Sequence, residues 1–360
     1  MSAQCKTTIL LTIYNRYKFT KRWLDYAKEN NFKINIFICD GGTNNAFKKY
    51  INLNKYKSLN IKYYKSEYTT DFSIMFNKFY EAVQRINTDF IYIAEDDDFI
   101  IEENIFKSQT FLEKNLDYSS SGGLNVNFEY LSKKKGNGKI FIRCHNHNKS
   151  LKDDDVLKRF MKGFKYLNSN YNTLHTKKSL IKIFKFLKMK KFKNLYITEL
   201  VIYLYSLLNG KCKRFDHVEY LKLDNTQYSA SKNFEKNYLK NIVFSKTFSQ
   251  ENYYFINFLN KFFLSNCKKY KTFKNLYFDH LLKDLNIRLE KQNRIIFFIR
   301  KKITNSFFGY YIKFLYKFSK YYNLNNINIF FDKKGCKRIL INDKKNIIAI
   351  HNFLDSYEKF

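Results

Sequence analysis

Proline does not occur once in the 360 residues, where an average chain carries about 5%. Lys, Asn, Ile, Phe and Tyr are used heavily instead, the pattern that strong A/T codon pressure leaves, and Lys outnumbers Arg 56 to 10. The net charge of +34 is therefore not read wholesale as a nucleic-acid footprint. Closely paired cysteines are missing as well. The six thiols, at 5, 39, 144, 212, 267 and 336, form no CxxC pair. That excludes a disulfide framework or a zinc ribbon and leaves free thiols in a reducing compartment. Long hydrophobic runs are lacking too. The strongest, Leu200 to Leu208 and Ile295 to Ile299, fall far short of the ~20 residues a bilayer-spanning helix needs. At the N-terminus only Ile9 to Ile13 is apolar before Asn15 and Arg16, so this stretch reads as a first strand and not as a signal peptide. These absences lead us to expect a cytoplasmic protein.

What is present can bury a sizeable core: the chain is 45% hydrophobic and 19% aromatic, enough for one large domain or two ordinary ones. Charge is spread unevenly. Residues 1–120 carry 17 basic and 15 acidic side chains, whereas residues 121–360 carry 49 and 17. The second half is expected to face something anionic, whether lipid headgroups, a phosphorylated acceptor or nucleic acid. The first half is where chemistry is sought.

A β-prone stretch from Thr7 to Ile13 is followed by Tyr14-Asn15-Arg16 and by Phe19, Trp23, Tyr26 and Ala27 at helical spacing. The unit repeats. Ile34 to Cys39 ends in Asp40-Gly41-Gly42 before a helix near 45–56, Ile61 to Tyr64 precedes a helix near 71–86, and Phe90 to Ala94 ends in Glu95-Asp96-Asp97-Asp98. Such alternation predicts an α/β fold, a mostly parallel sheet flanked by helices, with ligands bound beyond the carboxyl ends of the strands. All three polar clusters fall at those ends. Asp40-Gly41-Gly42 reads either as a tight turn or as a place where a nucleoside meets Asp40 and the close backbone of the glycines. The four consecutive carboxylates repel one another unless a cation offsets them. Mg²⁺ or Mn²⁺, hard ions that bridge carboxylates to a diphosphate, would do so; a solvated helix N-terminus is the other reading.

In this order the residues resemble nucleotide-sugar glycosyltransferases of the GT-A fold, similar to family 2 and to its bacterial surface-polysaccharide subgroup. Tyr14-Asn15-Arg16, Asp40-Gly41, Phe76-Asn77-Lys78, Asp89 to Phe99, and Asp117-Tyr118-Ser119 with Gly122-Gly123 carry the resemblance, which extends over about residues 5–230. It implies that Asp96 and Asp98 hold the metal against the donor's diphosphate, with Asp97 assisting. It implies too that Asp40 and Gly41 meet the nucleoside, that Thr12, Tyr14 and Asn15 form the first nucleotide-binding loop, and that Lys78 approaches the nucleotide. The family's proline near Ile13 is absent here. Transfer also needs a base for the acceptor hydroxyl. Glu199 is the candidate: it lies about a hundred residues beyond the acid run, as the base does in related enzymes, and is the only acid between Asp155 and Asp216. Set in the apolar run Tyr196 to Leu208, its pKa should rise; the plain alternative is a helix-capping Glu after Thr198.

The expected partners are a nucleotide-sugar donor and a glycan or lipid-linked acceptor, in an inverting reaction, with an anionic membrane surface as a further contact and nucleic acid disfavoured. Other features read plainly. Asp153-Asp154-Asp155 starts a helix; Cys144, His145 and His147 lack a fourth zinc ligand. His217 is read as a core or surface histidine, with a third metal ligand as the minor alternative, and Lys133 to Lys139 is a loop without the P-loop pattern. Arg294 to Tyr322 reads as a basic amphipathic helix, either core-packed or membrane-surface. Ile327 to Phe331, Ile339 to Ile341 and Ile347 to Ile350 suggest a small β meander. Three segments follow: 1–130 for the nucleotide sugar, 131–230 for the acceptor, and a basic, mainly helical 231–360. The competing classes are a basic nucleic-acid-binding protein and a non-catalytic acceptor-binding scaffold.

Overall fold

The computed structural model describes residues 5–43, 46–68, 72–131, 139–144, 149–166, 171–192, 195–223, 321–324, 327–331 and 342–357. The fold is α/β, as the alternation predicts. Strands β1 (Thr7–Ile13), β2 (Asn35–Asp40), β3 (Ile61–Lys65) and β4 (Phe90–Glu95) are all parallel, with Leu10 aligned to Phe37 on one side and to Ile93 on the other. Between them run α1 (Tyr17–Glu29), a short α2 (Ala46–Tyr50) and α3 (Phe72–Arg85).

Beyond β4 the sheet becomes mixed. β5 (Phe99–Ile100) and α4 (Glu102–Lys114) lead into the long β6 (Tyr118–Leu131), then β7 (Lys139–Cys144), α5 (Val156–Tyr166), β8 (Leu174–Thr176), α6 (Lys177–Lys190), α7 (Leu195–Asn209) and β9 (Lys211–Leu223). β10 (Tyr321–Leu324), β11 (Ile327–Phe331) and α8 (Lys344–Tyr357) complete the described elements. The strand order is β10-β11-β7-β6-β8-β4-β1-β2-β3, and β9 pairs with both β6 and β5. β9 thereby closes over the end of β4, where the acid run lies.

The central strands are apolar on both faces because both are covered. Ile9, Leu11 and Ile13 join one core with Trp23, Ile105, Ile350 and Phe353, while Leu10, Phe37, Ile91 and Ile93 join the other with Phe79, Phe184 and Leu204. α1 follows the same logic: Tyr17, Thr20, Trp23, Leu24 and Ala27 recur every three or four residues on its buried side.

Two expectations are corrected. The helix expected near 45–56 is broken into α2 and a 3₁₀ turn at Leu53–Tyr56, because the Asn52 side chain accepts from the Asn54 N–H at 3.0 Å and starts a new turn. Ile347 to Ile350, read as a strand, lies in α8. There Ile347, Ile350, Phe353 and Leu354 form a helical face, and the Phe353 ring meets Tyr26 at 5.4 Å and Phe99 at 6.0 Å. Asp343 ties this helix down, accepting from the Val218 N–H at 2.6 Å and the Asn104 amide at 3.1 Å. Ile327 to Phe331 is the expected strand, parallel to β7, and Asp155 does start α5, accepting from the Lys158 N–H at 3.0 Å. Residues 133–138, His145, His147, 294–320 and 339–341 lie outside the described residues, as does most of 231–360. Among the described residues, no helix is long and apolar enough to cross a membrane.

Candidate functional site: an acid cleft at the strand ends

Glu95 to Asp98 form the tight turn between β4 and β5, with the Asp98 N–H on the Glu95 carbonyl at 3.4 Å. Within the turn the acids take different partners. Asp96 turns to α1, where Arg16 contacts one oxygen at 2.6 Å and the Thr20 hydroxyl the other at 3.0 Å. Arg16 also holds Asp97 at 2.8 Å, and Arg22 donates to the Asp97 carbonyl at 2.8 Å. Asp98 is bound from β9: the Tyr220 hydroxyl donates to one oxygen and the Leu223 N–H to the other at 2.7 Å. Burial pushes Asp96 up to about 7 against the pull of Arg16. Asp98 is raised well above the carboxylate range, first by burial and then by Glu95 and Asp97, with Lys222 opposing.

The carboxylates that meet are Glu95, Asp97 and Asp98, with one oxygen of each within 4.8 Å of the others. Three oxygen donors at this spacing fit a hard divalent ion. Of the pair that the resemblance implies, Asp98 is in this group and Asp96 is not: the turn points Asp96 to Arg16 and Thr20, and Glu95 joins Asp97 and Asp98 instead. Arg16 is the brace of the turn. Arg16→Met leaves the fully buried Asp96 with the Thr20 hydroxyl and removes the ion pair to Asp97. We expect a loss of about 3 kcal/mol in denaturant unfolding, the usual effect of orphaning a buried charge; an unchanged midpoint would mean that the turn holds without it.

Across from the acids stand three side chains from later in the chain. Glu199 lies in the first half of α7. Burial raises its pKa, Lys222 opposes this, and Glu95 adds to it. Lys222 is raised above the ordinary lysine value by Glu95 first, against burial, with Asp98, Glu199 and Asp97 contributing. Tyr171 bonds to Thr12, and its hydroxyl is raised well above the ordinary tyrosine value by burial, Glu95 and Glu199. Thr12 itself is level with Glu95 in the β1–β4 register. Thr12, Glu95, Tyr171, Glu199 and Lys222 therefore face one cleft.

The first loop lies beside it. Asn15, at φ 54°, accepts from the Thr43 N–H at 2.8 Å and braces the glycine turn. Asp40 is fully buried, accepting from the Gly42 N–H at 2.8 Å and the Tyr63 hydroxyl at 2.9 Å, so in this structure it holds the turn. A Cβ at Gly41 would sit 2.8 Å from Lys78 Nζ and 3.2 Å from its Cδ, so a larger residue there would push the lysine side chain aside. Lys78 is buried, which lowers its pKa against Cys39 and Asp40, and its ammonium lies 5.8 Å from the Tyr14 ring. Tyr14 stacks on Tyr68 at 5.8 Å, and both rings are open to solvent. His217 stays outside the acid group, 3.6 Å from Glu219 and stacked on Phe215. Arg16, Thr20, Tyr171, Tyr220 and Lys222 were not foreseen. Arg16 stood within the Tyr14-Asn15-Arg16 stretch that carries the resemblance, without a role assigned to it, and Tyr220 and Lys222, two apart in a β-prone run, share a strand face.

No family model matches the chain, and no curated protein matches it. Among solved structures it is similar to S. aureus TarS, at 12% identity and a TM-score of 0.39, over 71% of this chain and 43% of that one. It is similar also to TarS 1–349 in complex with UDP-GlcNAc, at 13% identity and a TM-score of 0.41, over 71% and 72% of the two chains. The chain thus spans less than half of the longer TarS chain. The functional reading rests on the side chains of the cleft.

Proposed function

We propose that the chain is a metal-dependent, inverting glycosyltransferase of the GT-A type. It would move a sugar from a nucleotide-sugar donor to a hydroxyl of a glycan or lipid-linked acceptor in cell-surface polysaccharide synthesis. The observation that carries the reading is the convergence of Glu95, Asp97 and Asp98 with Glu199 and Lys222 at the carboxyl ends of parallel strands. It fits the resemblance of Tyr14-Asn15-Arg16, Asp40-Gly41 and Glu95 to Phe99 to family 2 enzymes.

In this reading Glu95, Asp97 and Asp98 would hold Mg²⁺ or Mn²⁺, which would supply positive charge where the leaving diphosphate develops negative charge. Tyr14, with its exposed ring, offers a face for the base, and Lys78 adds positive charge behind it. Glu199 accepts the proton of the acceptor hydroxyl as its oxygen bonds to the donor's anomeric carbon. The bond from that carbon to the diphosphate breaks, and its electron pair leaves with the phosphate oxygen. One displacement from the opposite face inverts the anomeric centre. Arg16 and Arg22 keep the acid turn in place and touch no substrate. The test is release of nucleoside diphosphate from a panel of nucleotide sugars with Mn²⁺. Turnover of one donor, stopped by EDTA, supports the reading, and a folded protein that turns over none of them opposes it.

A further inference from the structure

We infer that Lys222 is the side chain that takes the donor's diphosphate, and that before metal and donor bind it is the counter-cation of the acids around it. The inference rests on the glycosyltransferase reading above and deepens it. β9 is stitched to the acid turn on both sides of Lys222: Tyr220 donates to Asp98, and so does the Leu223 N–H, at 2.7 Å. By strand alternation Lys222 shares the face of Tyr220. It stands one step nearer the strand end, where the chain passes from the buried Tyr220 to the exposed Lys222. Glu95, Asp98, Glu199 and Asp97 all act on it electrostatically.

The charges explain why one lysine would serve in turn. Arg16 is committed by ion pairs to Asp96 and Asp97, whereas Lys222 is acted on by Glu95, Asp98 and Glu199 together, by Glu95 most strongly. A divalent ion on the same acids repels it. The ammonium is then released toward the nearest remaining negative charge, the incoming phosphates, which a flexible point charge with three donors suits. Lys222 thus weakens binding of the bare metal and strengthens binding of metal with nucleotide.

These opposite signs make the test. Wild type, Lys222→Met and Lys222→Arg would be titrated calorimetrically with Mn²⁺ alone, and with UDP and GDP in the presence of Mn²⁺. Lys222→Met should tighten Mn²⁺ alone about threefold or more and weaken the bound nucleoside diphosphate about tenfold or more, with Lys222→Arg between it and wild type. Lys222→Arg should melt with wild type, and Lys222→Met somewhat lower, because the acids that the ammonium offsets are then left facing one another. Nucleoside diphosphate binding that stays within twofold of wild type in Lys222→Met overturns the inference and leaves the enzyme reading intact. A wild type that binds neither UDP nor GDP sinks the reading itself and the inference with it.

Discussion

Asp98→Ala is expected to lower turnover by about three orders of magnitude, roughly 4 kcal/mol of transition-state stabilisation. Asp98 is one of three carboxylates that can share an ion, and the remaining two lack the third corner. It is also the acceptor that draws β9 onto the acid turn, through Tyr220 and the Leu223 N–H. Leaving those donors unpaired should cost about 1–3 kcal/mol of stability. The two apolar cores on either side of the sheet do not depend on it, so cooperative melting should persist. Kinetics with the active donor, a Mn²⁺ titration and a thermal melt on one preparation separate the effects. Turnover within tenfold of wild type would remove Asp98 from the site.

Glu199→Gln is expected to lower kcat by about 10² to 10⁴ while leaving donor binding nearly unchanged, the range lost when a positioned general base is removed. The substitution keeps shape and removes only the ability to take a proton. Its pH signature follows from the raised pKa of Glu199, which burial lifts above the ordinary 4.5. Only the ionised carboxylate can accept a proton, so the rate should climb with pH through that raised value and level off above it. The Gln variant should lose this limb. A variant that keeps both its kcat and the limb would assign the base elsewhere.

How much of this could be read from the sequence follows from which interactions are local. The strands β1, β2 and β4 were legible because each is a short apolar run ended by Asn or Asp, and a strand covered on both faces needs no partner to declare itself. α8 was misread because Ile347 to Ile350 is too short a run to tell helix from strand, and its helical face, continued by Phe353 and Leu354, appears only once Tyr26 and Phe99 are placed against it. The acid run was visible, but its division was not. Which of four consecutive carboxylates face one another depends on the turn after Glu95 and on Arg16, 80 residues away from Asp96. Asp40 and Gly41 were recognised as a pair, while the bond from Tyr63 that buries Asp40 depends on the pairing of β2 with β3. Lys222 stood in a lysine-rich half in which no single lysine draws notice. Only the docking of β9 on Asp98 singles it out.

The central claim is that the acid cleft binds a nucleotide through a divalent ion. Calorimetric titration of the protein with UDP, GDP and CMP, each with Mn²⁺ and again with EDTA, tests it most directly. The account predicts micromolar binding of one nucleotide that disappears when the metal is chelated. Binding of none of the three, with tight and salt-dependent binding of RNA or DNA by the same preparation, would contradict it and assign the basic half to nucleic acid.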